Sequence, residues 1–315
     1  MALYVVTGGA GFIGSHIVHA LVRRGEEVRV LDNLSTGSIA NLAGVSGRIA
    51  FHEVDIRDPS AISPHFTAAQ YIIHLAALPS VVCSIEDPLT ANGVNLTGTL
   101  NVLLAVRDAS VKRLVFAASA AAYGDNPAMP RVETLIPDPL SPCALAKLAG
   151  EYYCRIFTRI YGLETVALRF FNIFGPRQNP DSPYTGVLSK FVAAYLRGDT
   201  PVIFGDGEQS RDFTYVENVV DAVLRACTAP AAAGNVINVG PGRSYTLNQT
   251  IAVLNSIFSR QVQPRFDPPR KGDVLHSLAD ISLARQALGY EPRISFEEGL
   301  RRTVEWYRAE ANNSK

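Results

Sequence analysis

The sequence predicts an α/β protein built on a doubly wound parallel sheet, with a smaller lobe toward the C-terminus. Three observations carry that expectation. Short apolar runs alternate with longer amphipathic stretches through the first half of the chain, as in βαβ units whose strands are covered on both faces. A glycine-rich turn, Gly8-Gly9-Ala10-Gly11-Phe12-Ile13-Gly14, joins the first run to the first stretch. An acid, Asp32, ends the second run.

Taken in order, the runs at residues 3–7, 27–31, 70–75, 113–119 and 163–169 read as strands, and 13–24 and 92–108 as helices between them. After about Asn172 the chain loosens into loops rich in proline, glycine and aspartate at 175–184, 204–212 and 264–273, separated by helical stretches at 187–197 and 246–259. We therefore expect a first domain over residues 1–171 and a second lobe over 172–315. Parts of 215–240, notably 217–226 and 235–240, are expected to return to the first domain.

A chain of 315 residues, 47% hydrophobic and 18% charged, can bury a sizeable core. Its 29 basic and 29 acidic residues balance, so nothing global favours nucleic acid or an anionic membrane. An anionic ligand must be met locally. The four cysteines, Cys83, Cys143, Cys154 and Cys227, form no CxxC pair, which argues against a zinc site or a disulfide framework and for a reducing compartment. Met1 to Val6 runs directly into the glycine turn without room for a signal peptide, and no run approaches the ~18 apolar residues of a membrane span. A cytoplasmic protein without a metal is the expectation.

Gly8, Gly11 and Gly14 fall in a GxxGxxG spacing between a strand and a helix. Glycine is needed there because the turn is tight, a pyrophosphate must reach the backbone, and the helix must pack close to the strand. The helix start at Phe12 and Ile13 then offers amide donors and a positive dipole end. Asp32 lies near the ~20-residue spacing at which an acid accepts from an adenosine ribose, with Asn33 beside it. No basic residue follows Asp32 until Arg48, so a 2′-phosphate would be repelled. A Rossmann-type domain binding NAD rather than NADP is expected.

Further segments follow in order: Asp55-Ile56, His74-Leu75-Ala76-Ala77, Asn95 before Gly98-Thr99, and Phe116 to Gly124 with Ser119 four residues before Tyr123. Ser141-Pro142-Cys143-Ala144-Leu145-Ala146-Lys147 precedes Gly150-Glu151, and Phe170-Phe171-Asn172-Ile173-Phe174-Gly175-Pro176-Arg177 comes next. Gly205-Asp206-Gly207-Glu208-Gln209-Ser210-Arg211-Asp212-Phe213 and Gly272-Asp273-Val274-Leu275-His276-Ser277 complete the set. From Val5 to about Trp306 the chain resembles the extended short-chain dehydrogenase/reductases, within them the UDP-glucose and UDP-N-acetylglucosamine 4-epimerases.

That resemblance implies NAD contacts at Asp55, Ile56, Leu75, Ala76, Ala77, Asn95 and Lys147, and substrate diphosphate contacts at Asn172 and Arg211. Arginine suits the second role because its planar fork stays charged. Ser277 stands where epimerases restricted to plain hexoses carry a bulky residue, which implies room for an acetamido group. The resemblance also implies a homodimer formed through helices at residues 92–108 and 144–161.

In these epimerases a tyrosine of a YxxxK motif takes the 4-hydroxyl proton while hydride passes to NAD, and the keto-sugar turns over before hydride returns. Lysine and the nicotinamide charge lower the tyrosine pKa from ~10, and a serine binds the same hydroxyl. Here Lys147 and Ser119 hold the lysine and serine positions, and Cys143 replaces the tyrosine. A thiol of ordinary pKa near ~8.5 is a thinkable base, but it falls short of the phenol oxygen, and misplacement of about 1 Å already costs about a hundredfold.

Ala120 replaces a common serine and Leu275 an arginine, while Cys83, in Ser80-Val81-Val82-Cys83-Ser84, lies where close relatives often have arginine. Ser80, Cys83, Ser119 and Leu275 are therefore all assigned to the altered substrate pocket. Three readings stand: an impaired UDP-sugar 4-epimerase, an engineered or diverged epimerase for a smaller sugar lacking the nucleotide, and a non-catalytic NAD or nucleotide-sugar binder. A dehydratase is disfavoured, because Ser119-Ala120-Ala121 lacks that class's Asp-Glu pair. Cys83 and Cys143 either face each other as a disulfide or are separate thiols.

Overall fold

A computed structural model of the chain describes residues 1–179, 186–269 and 274–313. The first half runs β1 (Leu3–Thr7), α1 (Phe12–Arg23), β2 (Glu27–Asp32), β3 (Ala50–Glu53), α2 (Pro59–Ile62), β4 (Tyr71–His74), α3 (Val81–Glu86), α4 (Pro88–Asn92), α5 (Thr99–Asp108), β5 (Arg113–Ser119), α6 (Pro142–Tyr161) and β6 (Glu164–Phe170). There follow β7 (Ile173–Phe174), α7 (Val187–Arg197), β8 (Val202–Phe204), β9 (Ser210–Asp212), β10 (Thr214–Tyr215), α8 (Val216–Thr228) and β11 (Val236–Val239). The chain closes with β12 (Ser244–Thr246), α9 (Leu247–Phe258), β13 (Arg265–Asp267), α10 (Ser282–Leu288) and α11 (Phe296–Asn313).

Seven parallel strands form one sheet in the order β11-β6-β5-β4-β1-β2-β3. Consecutive residues point to opposite faces, so nearly unbroken apolar strands feed two cores. Val6, Val30, Val115 and Leu168 pack beneath α1 and α8. Their neighbours Val5, Leu31, Leu114 and Ala167 pack with Val102, Leu103, Val106 and Phe157 of α5 and α6 on the other face. Strand order reverses between β1 and β4, and ligands of such sheets sit in the crevice at that point.

The second lobe has its own core, with Phe174, Phe191, Tyr195, Phe213, Tyr215, Leu254, Phe296 and Leu300 drawn from separate short elements. Residues 236–239 join the sheet beside β6, and α8 packs on α1, so both segments lie with the sheet.

Two elements differ from the sequence reading. β3 has no apolar run, because it is an edge strand with both ends exposed and no residue fully buried. The expected helix at 92–108 is interrupted by a wider turn over Gly93–Gly98, a distortion common at functional sites. The combined stretch Pro88–Asp108 is long enough to cross a membrane and holds an 18-residue window of mean hydropathy 1.2; here α5 packs against β4 and α6 and supplies core residues. Parts of the loops at 175–184 and 264–273, including Gly272 and Asp273, lie outside the described residues.

Candidate functional site

The glycine turn joins β1 to α1 at the sheet's reversal point. Gly8 has φ +71°, and a Cβ there would meet Ala76 N at 2.7 Å. A Cβ on Gly14 would come within 2.1 Å of Gly8 O. The turn is therefore closed to side chains, with Gly11, Phe12 and Ile13 opening the helix and Leu75, Ala76 and Ala77 running past it from β4. Thr7 Oγ1 holds this junction, accepting from Ala76 N–H at 3.3 Å and bonding His74 Nδ1 at 2.7 Å. His74 is buried, bonds Thr99 through Nε2 at 3.0 Å, and has its pKa pushed down to about 3 by burial, so it stays neutral.

Asp32 ends β2 and is buried, its two oxygens accepting from Ala10 N–H at 2.9 Å and Leu34 N–H at 2.8 Å. Burial raises its pKa, and the two amides oppose that shift. Each carboxylate oxygen keeps a further lone pair. Asn33 donates to Asp55 at 3.0 Å, and Asp55 is held down to about 2 chiefly by its hydrogen bond to Arg57. Ile56 is buried next to it. A cradle without side chains, a buried acid and an amide-rich helix start fit a dinucleotide's pyrophosphate and ribose.

Asn95 lies in the distorted turn and clasps one backbone unit. Its Oδ1 accepts from Leu78 N–H at 2.7 Å and its Nδ2 donates to Leu78 O at 3.0 Å. Ser80 Oγ caps α3 by accepting from Cys83 N–H at 3.0 Å. α6 begins with Ser141 as its cap, accepting from Ala144 N–H at 3.2 Å, and with Pro142 in the first turn.

Cys143, the second residue of α6, is 8% exposed. Its N–H donates to Ser84 Oγ at 3.3 Å, and its Sγ donates to Leu78 O at 3.6 Å with Asn95 Nδ2 at 3.8 Å. Burial pushes the thiol pKa up, against the pull of Lys147. Neither Cys83 nor Cys143 is in a disulfide. Lys147, one turn further on, is buried, donates through Nζ to Ala117 O at 2.7 Å, and has its pKa pushed down to about 8 by burial. Ser119, two residues beyond Ala117 on β5, accepts from Ala121 N–H at 3.1 Å.

Tyr123 is not a spare base. It is fully buried, donates to Asn238 Oδ1 at 2.7 Å, and its ring lies 4.5 Å from the Arg169 guanidinium, itself paired with buried Glu151 at 2.7 Å.

On the lobe side, Asn172 and Arg211 line one cavity of about 550 Å³ with Lys190, Val202, Phe204 and Gln209. Asn172 is exposed and donates to Asp212 O at 3.3 Å. A neighbouring cavity of about 690 Å³ shares Phe204 and Gln209 and adds Phe266, Pro269 and Leu275. Leu275 is exposed, while Ser277 is buried against β9. Sequence reasoning missed Leu78, which acts through its backbone and leaves no signal, and Thr7, Ser84 and Thr99, whose hydroxyls became meaningful only in contact.

The pattern of the family described as NAD dependent epimerase/dehydratase matches residues 4–240. A UDP-glucose 4-epimerase of Mycolicibacterium smegmatis is 38% identical over 96% of this chain and 98% of its own length. A UDP-glucose 4-epimerase of Thermotoga maritima, solved with UDP-glucose, superposes with TM-score 0.94 at 41% identity, covering 98% of this chain and 99% of that one. A UDP-N-acetylglucosamine 4-epimerase of Methanobrevibacter ruminantium, solved with UDP-N-acetylmuramic acid, gives TM-score 0.94 at 40% identity over the same shares. With its glycine cradle, buried acid and lysine helix on a seven-stranded parallel sheet, the chain belongs to the NAD dependent epimerase/dehydratase family.

Proposed function

We propose that this chain binds NAD and a UDP-hexose or UDP-N-acetylhexosamine as a sugar-nucleotide 4-epimerase with a crippled proton-transfer step. The second half rests on one observation: the Cys143 thiol, raised in pKa by burial against the pull of Lys147, is spent on Leu78 O. NAD, when bound, supplies a reversible hydride acceptor for the sugar's C4. The glycine cradle and the α1 amides take its pyrophosphate, Asp32 its adenosine ribose, and Lys147 its nicotinamide ribose. Asn172 and Arg211 receive the sugar-nucleotide diphosphate, and Ser119 orients the 4-hydroxyl.

A protonated thiol that already donates to a carbonyl cannot accept the hydroxyl proton, and general-base help is typically worth about 10²–10⁴-fold. Ser277 is small and buried against β9, which favours an acetamido-bearing sugar, as does the likeness to a UDP-N-acetylglucosamine 4-epimerase. The geometry of Cys143 also favours a second reading, a binder of NAD and sugar nucleotide without turnover.

Calorimetric titration tests the reading. NAD and then UDP-N-acetylglucosamine should each bind saturably, and Arg211→Ala should weaken only the second. NAD binding without any sugar-nucleotide binding would overturn the substrate assignment.

A further inference from the structure

Arg211 and Ser277, two expected sugar-nucleotide contacts, lie on neighbouring segments that meet at one buried acid. Ser210 N–H donates to Leu275 O at 2.9 Å, and Ser277 N–H donates back to Ser210 O at 3.1 Å. Arg211 reaches Leu275 O through a guanidinium nitrogen at 3.0 Å and lines the 550 Å³ cavity. Asp212, next on β9, is wholly buried, and its Oδ2 accepts from Ala279 N–H at 2.9 Å. Gly240, just past β11, packs so near that a Cβ there would lie 3.3 Å from the same oxygen. The amides of Gly242 and Arg243 lie close enough to favour the charged carboxyl, although Oδ1 itself accepts no hydrogen bond among the described residues.

We infer that Asp212 is a positioning residue for sugar-nucleotide binding, its carboxylate tying residues 275–279 and 240–243 to β9 and so fixing where Arg211 and Ser277 stand. This rests on the UDP-sugar reading above. The donors around the group are backbone amides, with Ala279 N–H on Oδ2 and those of Gly242 and Arg243 nearby, and they suit an ionised carboxylate better than a protonated carboxyl, one of whose oxygens becomes a donor. Protonation sets an O–H among N–H groups and loosens the tie. Burial pushes the Asp212 pKa up to about 7, with the amides of Ala279, Gly242 and Arg243 opposing.

The titratable groups on the elements packed around it are Tyr290, whose hydroxyl donates to Gly240 O at 3.2 Å, Arg131, bridged to Ala279, and Arg243, His276 and Asp280. Among the described residues, none of these side chains is hydrogen-bonded to the carboxyl. His276 bonds Ser210 Oγ at 3.0 Å and needs its own control.

Affinity for UDP-N-acetylglucosamine is measured by calorimetry on the NAD-saturated chain at about pH 6 and about pH 8. The diesterified diphosphate stays ionised over that range, so a change belongs to the protein. A competent fraction that tracks the ionised fraction of Asp212 predicts about tenfold weaker binding at the lower pH. The dependence should persist in His276→Gln and vanish in Asp212→Asn, which binds weakly at both values while keeping its NAD affinity. Equal affinity at both pH values in the unmodified chain overturns the inference, as does loss of the dependence in His276→Gln. Should Asp212→Asn fail to fold, those two profiles still decide. Absence of binding at either pH instead defeats the UDP-sugar reading, and this inference with it.

Discussion

Cys143 stands one helical turn before Lys147, so both side chains leave the same face of α6 toward the end of β5. The lysine, serine and glycines stand out in the sequence through their local spacing, and the cysteine as the misfit in that spacing. What surrounds it does not, since Leu78 takes part through its backbone. Asn95 holds both polar groups of Leu78 and touches the thiol. Asn95→Ala leaves the Leu78 N–H and C=O without those partners, and a buried polar group left unpaired costs about 1–3 kcal/mol. Urea unfolding should show a loss in that range together with weaker NAD binding; unchanged stability would mean that the clasp is idle.

At the scale of elements, α6 is the part on which the site hangs. Its start is set by Ser141 and Pro142 and its end by Gly162 at φ +70°, close to the helix expected at 144–161. Its attachment to the sheet was not readable: Glu151 and Arg169, 18 residues apart, form a bidentate pair with both side chains under 5% exposed. Breaking a buried pair strands the remaining charge, at a cost of about 3–5 kcal/mol. Glu151→Ala should therefore lower the urea midpoint sharply, more than the double variant Glu151→Leu with Arg169→Met, and equal losses would contradict this account. The edge strand β3 and the distorted turn at 93–98 escaped the sequence for a different reason, since an exposed edge carries no apolar run and a helical period hides one extra residue per turn.

Across the whole molecule, the sheet domain was legible from periodicity, whereas the second lobe, assembled from short strands far apart in sequence, was visible mainly as motifs. The outer face of α6 exposes Leu145, Tyr152, Ile156 and Ile160, the last at 70%, a stripe that fits the proposed homodimer. Light scattering should find a dimer that Ile156→Glu with Ile160→Glu converts to monomer; a monomeric parent would contradict it. On the proposed function, scaffold and ligand sites are kept while the proton acceptor is lost. NMR of UDP-N-acetylglucosamine and UDP-glucose with added NAD, comparing the chain with its Cys143→Tyr variant, tests this directly. The account predicts turnover at least about a hundredfold faster in the tyrosine form. Equal, substantial turnover in both would contradict it, because the thiol or another group would then be a working base.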